Sequence, residues 1–480
     1  LVIGRSRRSR LGSTAAVTFR EPRQQEREYG LFRRLLYRPE SLMVTTFAGL
    51  ALAGAIVLSL PVCQTGSGIG PLDALFTATS AVCVTGLITH DTATEFSRTG
   101  QSVILVLIQL GGLGVMTFGA LAFQFLRRRV SFQSHAALQD LVFQGELRGS
   151  LRAALWRIVV ITFAAETLGT LLLYVGLRSG PVPKGAWYEA VFFAISGFCN
   201  AGFSVYSDSA ASLRDSALFM WTLMGLIITG GLGYTVLLEL LQRGWRRLRR
   251  RRESPVSWSL NAKVVIVVSA TLIAVGTCGL MLTGLTSSED TAGSYLLNTL
   301  FQSVTARTAG FNTVDIGRLP VPSLLLLMAL MFIGGSPASC AGGIKTTSLC
   351  VWLARVRARL TGRADVTLAG RRIPQDVVRR AALVIAVAAL WNVVGIMILA
   401  STEDVGGPTR LEDVVFEQVS AFGTVGLSTG ITPDLSVVGR LWIIASMFVG
   451  RLGPLTIALA VLRAHRPRPF AYPDERVMIG

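Results

Sequence analysis

The stretch FTATSAVCVTGL at residues 76–87 returns three times along the chain, as FFAISGFCNAGF at 192–203, LFQSVTARTAGF at 300–311 and FEQVSAFGTVGL at 416–427. Each copy opens on a bulky apolar residue (Phe76, Phe192, Leu300, Phe416) and reaches a glycine ten positions later: Gly86, Gly202, Gly310 and Gly426. A second bulky apolar residue follows each glycine. The glycines stand 116, 108 and 116 residues apart. Ser80, Ser196 and Ser420 lie six positions before their glycines, whereas the third copy has Val304 there, followed by Thr305. One such segment is noise, but four at near-constant spacing mark an internal repeat.

The sequence around the repeats is apolar. Mean hydropathy is +0.54 and only 15% of residues are charged, against about a quarter in soluble proteins. Eight runs are long enough to cross about 30 Å of hydrocarbon, at approximately 42–60, 101–126, 158–177, 217–242, 262–284, 321–354, 381–401 and 437–462. They alternate with arginine blocks, among them Arg127–Arg129, Arg246–Arg252 (broken by Leu248) and a scattered set from Arg355 to Arg380. The positive-inside rule makes these blocks cytoplasmic and puts both termini inside. The four intervening connections hold only seven Lys and Arg. They carry the four glycine segments, which therefore face outward. Topology and anionic lipid account for the net charge of +18, which argues against a nucleic-acid partner.

The first 40 residues carry too long a charged stretch for a signal peptide, and no cleavage site follows Leu60. The six cysteines (63, 83, 199, 278, 340, 350) show neither a disulfide framework nor metal-ligand spacing. Three histidines, with no HExxH, GxSxG or Walker-type loop, leave an enzyme without instruments and the chain without a cofactor of its own.

About 10 to 12 residues precede each glycine, too few to cross and too apolar for an ordinary loop. They read as re-entrant half-helices, whose following backbone must be buried in protein or line water. Each repeat has an even number of full spans, so successive repeats are parallel and four of them can surround one axis along the membrane normal. The fold class is all-α polytopic membrane protein: eight transmembrane helices and four re-entrant pore helices in four parallel membrane-pore-membrane repeats with pseudo-fourfold symmetry. The boundaries are a basic tail 1–40, repeat 1 at 41–126, a connection 127–157, repeat 2 at 158–242, a basic connection 243–261, repeat 3 at 262–357, a connection 358–380, repeat 4 at 381–463 and a tail 464–480.

A dehydrated monovalent cation needs oxygens in place of its water shell, and backbone carbonyls supply them without net charge. Glycine reaches the torsions this requires without a Cβ penalty, and the half-helix before it aims its negative end inward. The candidate filter carbonyls are those of Val84, Thr85 and Gly86; Asn200, Ala201 and Gly202; Thr308, Ala309 and Gly310; Thr424, Val425 and Gly426. The bland alternative is glycines that only let helices pack closely. Four in register favour the filter. Only Thr424-Val425-Gly426 has the threonine-valine-glycine order of tetrameric potassium channels, which suggests looser discrimination.

These loops resemble the filters of the Trk/Ktr/HKT superfamily of potassium transporters. Two further stretches carry the resemblance: IGGSPASCAGGIKTT at 333–347 is similar to the family's intramembrane gating loop, and VGRLGPLT at 449–456 to the segment bearing its pore-facing arginine. The match runs from Leu42 to about Arg463 and is nearest to the Ktr membrane subunit, with no spans before the first repeat. The resemblance implies passive K⁺ uptake, a homodimer, and a KtrA-like cytosolic ring that alone binds nucleotide (ATP/ADP or NAD). It leaves Na⁺ open as an activator, and a coupled cation symporter or Na⁺-permeable uniporter as alternatives.

Both stretches make sense as chemistry. Gly334, Gly335, Gly342 and Gly343, with Ser336, Pro337 and Ser339, break a helix in mid-membrane, and Lys345 follows near the cytoplasmic mouth. The reading is a gating loop; the alternative is a kinked structural helix. A charge at Arg451, near the middle of its span, costs at least about 2.5–3.5 kcal/mol, so it needs water or a partner. Two readings stand: a barrier to cations below the filter, or a buried ion pair with Glu166. Arg307, three residues before Gly310, is expected to point behind its loop and brace it.

Overall fold

Prolines and serine caps set where the helices of this chain start. The computed structural model describes residues 39–66, 68–127, 151–178, 186–248, 258–284, 292–407, 409–454 and 456–457. The tails 1–38 and 458–480 and the stretches 128–150, 179–185, 249–257 and 285–291 lie outside the described residues. In chain order the helices are α1 (Pro39–Leu58), α2 (Pro71–Val82), α3 (Arg98–Arg127), α4 (Leu151–Arg178), α5 (Ala186–Cys199), α6 (Ala217–Leu232) and α7 (Tyr234–Leu248). They continue with α8 (Leu260–Thr283), α9 (Ala292–Thr305), α10 (Val321–Phe332), α11 (Thr346–Leu360), α12 (Gln375–Thr402), α13 (Leu411–Gly423) and α14 (Val437–Leu452). A two-stranded hairpin, β1 (Thr367–Leu368) and β2 (Arg371–Arg372), joins α11 to α12.

Pro71 opens α2 at a position whose backbone N–H has no helical partner anyway. Ser259 caps α8 by accepting from Ala262 N at 3.1 Å, and Ser436 caps α14 by accepting from Gly439 N at 3.0 Å. Helices α2, α5, α9 and α13 have 12 to 14 residues, about 18–21 Å at 1.5 Å per residue, well short of a bilayer's apolar layer. Among the described residues, α1, α4, α8 and α12 are individually long and apolar enough to cross.

Besides the run 321–354, interrupted between Phe332 and Thr346, two expected spans are not continuous helices. The run 217–242 breaks at Gly233 (φ +87°), and α6 and α7 meet at a bend of 112°. The run 437–462 likewise stops at Leu452, with Gly453 at φ +85°. Hydropathy carries no record of either break, because the residues stay apolar through it. The reason is packing: at Gly233 a Cβ would lie 2.4 Å from the Pro337 carbonyl oxygen, in the loop that separates α10 from α11. The interrupted helix makes room for that loop.

The middle of the molecule is dense with aromatic side chains. Phe193 on α5 packs against Tyr206, Phe219 on α6 and Phe311 at centroid distances of 5.2–5.8 Å. Such contacts matter inside a membrane, where helices cohere by close packing rather than by escape from water.

Candidate functional site

The four repeat glycines meet each other. An ideal Cβ on Gly86 would lie 2.3 Å from the carbonyl oxygen of Ala201, one on Gly202 2.8 Å from that of Ala309, one on Gly310 2.3 Å from that of Val425, and one on Gly426 2.1 Å from that of Thr85. Each glycine thus abuts the residue before the next repeat's glycine, and the contacts close into a ring in chain order. No side chain fits at any of the four. Gly86, Gly202, Gly310 and Gly426 all have φ between +70° and +94°, a region where only glycine is unstrained.

A second feature repeats two residues earlier. Val84, Asn200, Thr308 and Thr424 have φ of +56°, +61°, +76° and +49°. Three of these are β-branched, for which positive φ is a genuine outlier costing about 1–3 kcal/mol. The strain is held by hydrogen bonds to the end of the short helix. Thr85 N donates to Ser80 O at 2.8 Å, Ala201 N to Ser196 O at 2.8 Å and Val425 N to Ser420 O at 2.9 Å.

The serine side chains complete the clamp: Gly86 N donates to Ser80 Oγ at 3.0 Å and Gly426 N to Ser420 Oγ at 3.2 Å. Ser196 Oγ instead donates to Phe203 O at 2.8 Å. In the third repeat Thr305 does the same, donating to Phe311 O at 2.6 Å. Thr305, not Val304, is the counterpart of the serines.

Acidic groups brace the chain beyond the glycines. Asp73, at the start of α2, accepts from Arg440 of α14 at 2.7 Å and lies 3.4 Å from His90 Nε2, whose Nδ1 meets Glu95. Glu189, at the same place on α5, accepts from Tyr206 at 2.6 Å. Buried Glu417 on α13 accepts from Ser428 at 2.9 Å and from Thr432.

The segment 333–345 separates α10 from α11 and folds directly against this ring. Ser339 Oγ donates to Ser336 O at 2.6 Å and Lys345 Nζ to Ala341 O at 2.6 Å. Ser336 N and Cys340 N donate to the Gly231 and Gly230 carbonyls at 3.1 and 3.2 Å, using oxygens freed where α6 ends. A Cβ on Gly342 would lie 2.1 Å from Thr424 Oγ1, and one on Gly334 1.9 Å from Gly342 O. A Cβ on Gly335 would lie 2.3 Å from that of Ala341, and Gly343 is held at φ +64° beside Gly334.

Arg451 is 3% exposed. Its guanidinium donates to Cys340 O in the 333–345 loop and to Gly111 O on α3 at 3.0 Å. The alternative reading of Arg451, an ion pair with Glu166, does not form: Glu166 accepts from Gln109 at 2.9 and 3.2 Å. The planar fork suits two carbonyls on different elements, and a carboxylate is not needed. Arg307 reaches back to Ser269 Oγ on α8 at 3.2 Å, behind its loop.

Sequence reading overlooked a second repeat, QLGGLG at 109–114, ITGGLG at 228–233, FIGGSP at 332–337 and FVGRLG at 448–453. Gly111, Gly230 and Gly450 press on the carbonyls of Val82, Phe198 and Phe422 near the short helices' ends, where a Cβ would sit at 1.9–2.0 Å. Arg451 occupies the second-glycine position of this motif. The aligned glycines were the signal that could have revealed both it and the break at Gly233.

Residues 45–469 match the model of the TrkH family, described as a cation transport protein. The chain belongs to this family. It is 36% identical over 449 residues to the potassium/sodium uptake protein NtpJ of Enterococcus hirae, covering 92% of this chain and 97% of the relative. The Ktr system potassium uptake protein B of Vibrio alginolyticus is 35% identical over 447 residues (92% and 94%). That of Bacillus subtilis is 34% identical over 453 residues (92% and 97%). The fold is also similar to the crystal structure of the potassium transporter TrkH from Vibrio parahaemolyticus, with a TM-score of 0.69 at 18% identity over 87% of this chain and 83% of that one. The family moves cations across membranes and is not a family of enzymes, in keeping with the missing catalytic motifs.

Proposed function

We infer that this chain takes up K⁺ across the bacterial inner membrane through a channel-like path on the axis where the four glycine loops meet. The observation that carries the reading is the closed ring of glycine-to-carbonyl approaches. In this reading the carbonyls of Thr85, Ala201, Ala309 and Val425, each beside the next loop's glycine, line one centre and replace a cation's hydration shell. The short helices α2, α5, α9 and α13 are then pore helices of four parallel repeats, each ending beside its loop with the negative end of its dipole. The Ktr relatives are named for potassium uptake, which supports the choice of cargo. An inside-negative potential supplies about 2.3 kcal/mol per charge per 100 mV, enough to drive uptake without ATP hydrolysis in this chain.

The gate in this reading is the loop 333–345, with Arg451 as both its tether and a positive charge below the ring. Helix α11 begins where the loop ends, so a force on the arginine-rich face reaches the gate through one helix. A cytosolic ring of nucleotide-binding subunits docking there, on a homodimer of this chain with both termini inside, is the arrangement we propose. A Na⁺-permeable path is the second reading. The unlike side chains of the four loops favour it, and the Enterococcus relative is named for potassium and sodium.

Reconstitution in liposomes under a K⁺ gradient tests the mechanism. Channel-like conduction places the reversal potential at the K⁺ equilibrium value. A coupled symporter shifts it when the second ion's gradient is changed at fixed K⁺.

A further inference from the structure

A cavity of about 300 Å³ opens between α11 and the β1–β2 hairpin, away from the glycine ring. Its wall combines Leu353, Ala354 and Leu368 with Arg357, Arg363 and Asp365. Asp365 is already neutralised by Arg372 at 2.9 Å. Arg357 and Arg363 are exposed and, among the described residues, have no ion pair. The cavity therefore presents two uncommitted guanidinium groups beside an apolar wall.

Its depth is set by its neighbours. Val351, Ala358, Val366, Ile373, Val378 and Ala381 form one core that ties α11 and the hairpin to the first turns of α12. Ala381 opens the long apolar run of α12, directly after Arg379 and Arg380. The cavity thus lies where α12 passes from a charged to an apolar layer. Exposed Leu353 and Leu360 share one face of α11 with Arg357, at i, i+7 and i+4, so that guanidinium stands beside apolar side chains. A soluble anion satisfies the arginines but leaves the apolar wall in contact with water. An amphiphile with a phosphate head satisfies both.

We propose that this cavity holds one anionic phospholipid, its phosphate between Arg357 and Arg363 and the start of an acyl chain along Leu353 and Leu368. Each arginine beside an anionic surface is worth about a factor of five in binding, so loss of both weakens retention roughly 30-fold. Arg357 also belongs to the arginine-rich face proposed above for the cytosolic ring, so the experiment reads lipid binding on this chain alone, and its outcome is separate from the uptake reading.

The test is native mass spectrometry of the purified full chain, titrated with phosphatidylglycerol and with phosphatidylcholine of the same acyl composition. The parent should retain phosphatidylglycerol preferentially. Arg357→Gln/Arg363→Gln should lose that preference while holding phosphatidylcholine as before. Arg371→Gln, outside the cavity wall, should behave as the parent and controls for a general loss of charge. Equal retention of both lipids by the parent, or an undiminished preference in the double variant, overturns the proposal. So does displacement of bound phosphatidylglycerol by millimolar inorganic phosphate, which assigns the arginines to a soluble anion.

Discussion

Arg451 of α14 ties the loop 333–345 to α3 through its side chain, and replacing it separates charge from geometry. In the parent, one arm of the guanidinium holds Cys340 O in the loop 333–345 and the other holds Gly111 O on α3. A hydrogen bond to a charged donor contributes about 1.5–3 kcal/mol, so loss of the Cys340 contact shifts the loop's docking equilibrium roughly 10- to 150-fold. Arg451→Gln removes both the charge and the fork. Arg451→Lys keeps a charge near the axis but cannot reach two carbonyls on different elements with planar geometry. If the bridge is the tether, both variants raise rubidium uptake into proteoliposomes, Gln more than Lys, because Lys retains electrostatic repulsion. Folded yield by gel filtration is measured alongside, since Cys340 O and Gly111 O lose a donor in either variant. Lysine at the parental rate with glutamine raised refutes the bridge and leaves charge alone as the barrier. Loss of folded protein with no gain in flux in either variant refutes both roles.

Three further outcomes follow from the same contacts. Deleting Ser339–Gly342 removes the Cys340 anchor and the Gly342 contact with Thr424, and should raise uptake; a stable but closed protein would make the segment a structural kink. Gly233→Ala forces a Cβ to within 2.4 Å of Pro337 O at φ +87°, so it should displace the loop and raise basal flux, and parental flux at parental stability would contradict the room-making role of the break. Asp73→Asn weakens the tie from α2 to Arg440 and His90, worth about 1–3 kcal/mol for a largely buried charged contact. It should lower both thermal stability and K⁺ preference, whereas no change in either would reduce the bridge to a surface pair.

The glycine repeat was legible because four short, unlike segments kept one invariant at fixed spacing, and steric necessity wrote that invariant as glycine. The positive φ two residues before each glycine was not legible. Val84, Asn200, Thr308 and Thr424 share a backbone conformation but no side-chain chemistry, since the neighbours that hold them are backbone carbonyls and buried serines. Thr305 stood beside Val304 in the third copy, but only the contacts show that its hydroxyl does the work of Ser196 one position later along the helix. Arg451 announced a need for partners, but its partners are peptide oxygens, which every residue carries. The pairing with Glu166 followed from charge alone, and Gln109 satisfies that carboxylate instead. Both helix breaks fall at the last glycine of a GGLG or GRLG motif, a pattern that hydropathy windows average away.

The central claim is that the four glycine loops set which cation passes. Its most direct test is the K⁺/Na⁺ permeability ratio from bi-ionic reversal potentials, measured for the parent and for Gly86→Ser, Gly202→Ser, Gly310→Ser and Gly426→Ser in turn. Each substitution puts a side chain where the ring leaves 2.1–2.8 Å to the next repeat's carbonyl oxygen. The account predicts a lowered K⁺ preference in all four, with conduction partly retained. A folded, conducting variant with the parental ratio at any one of the four positions would contradict it.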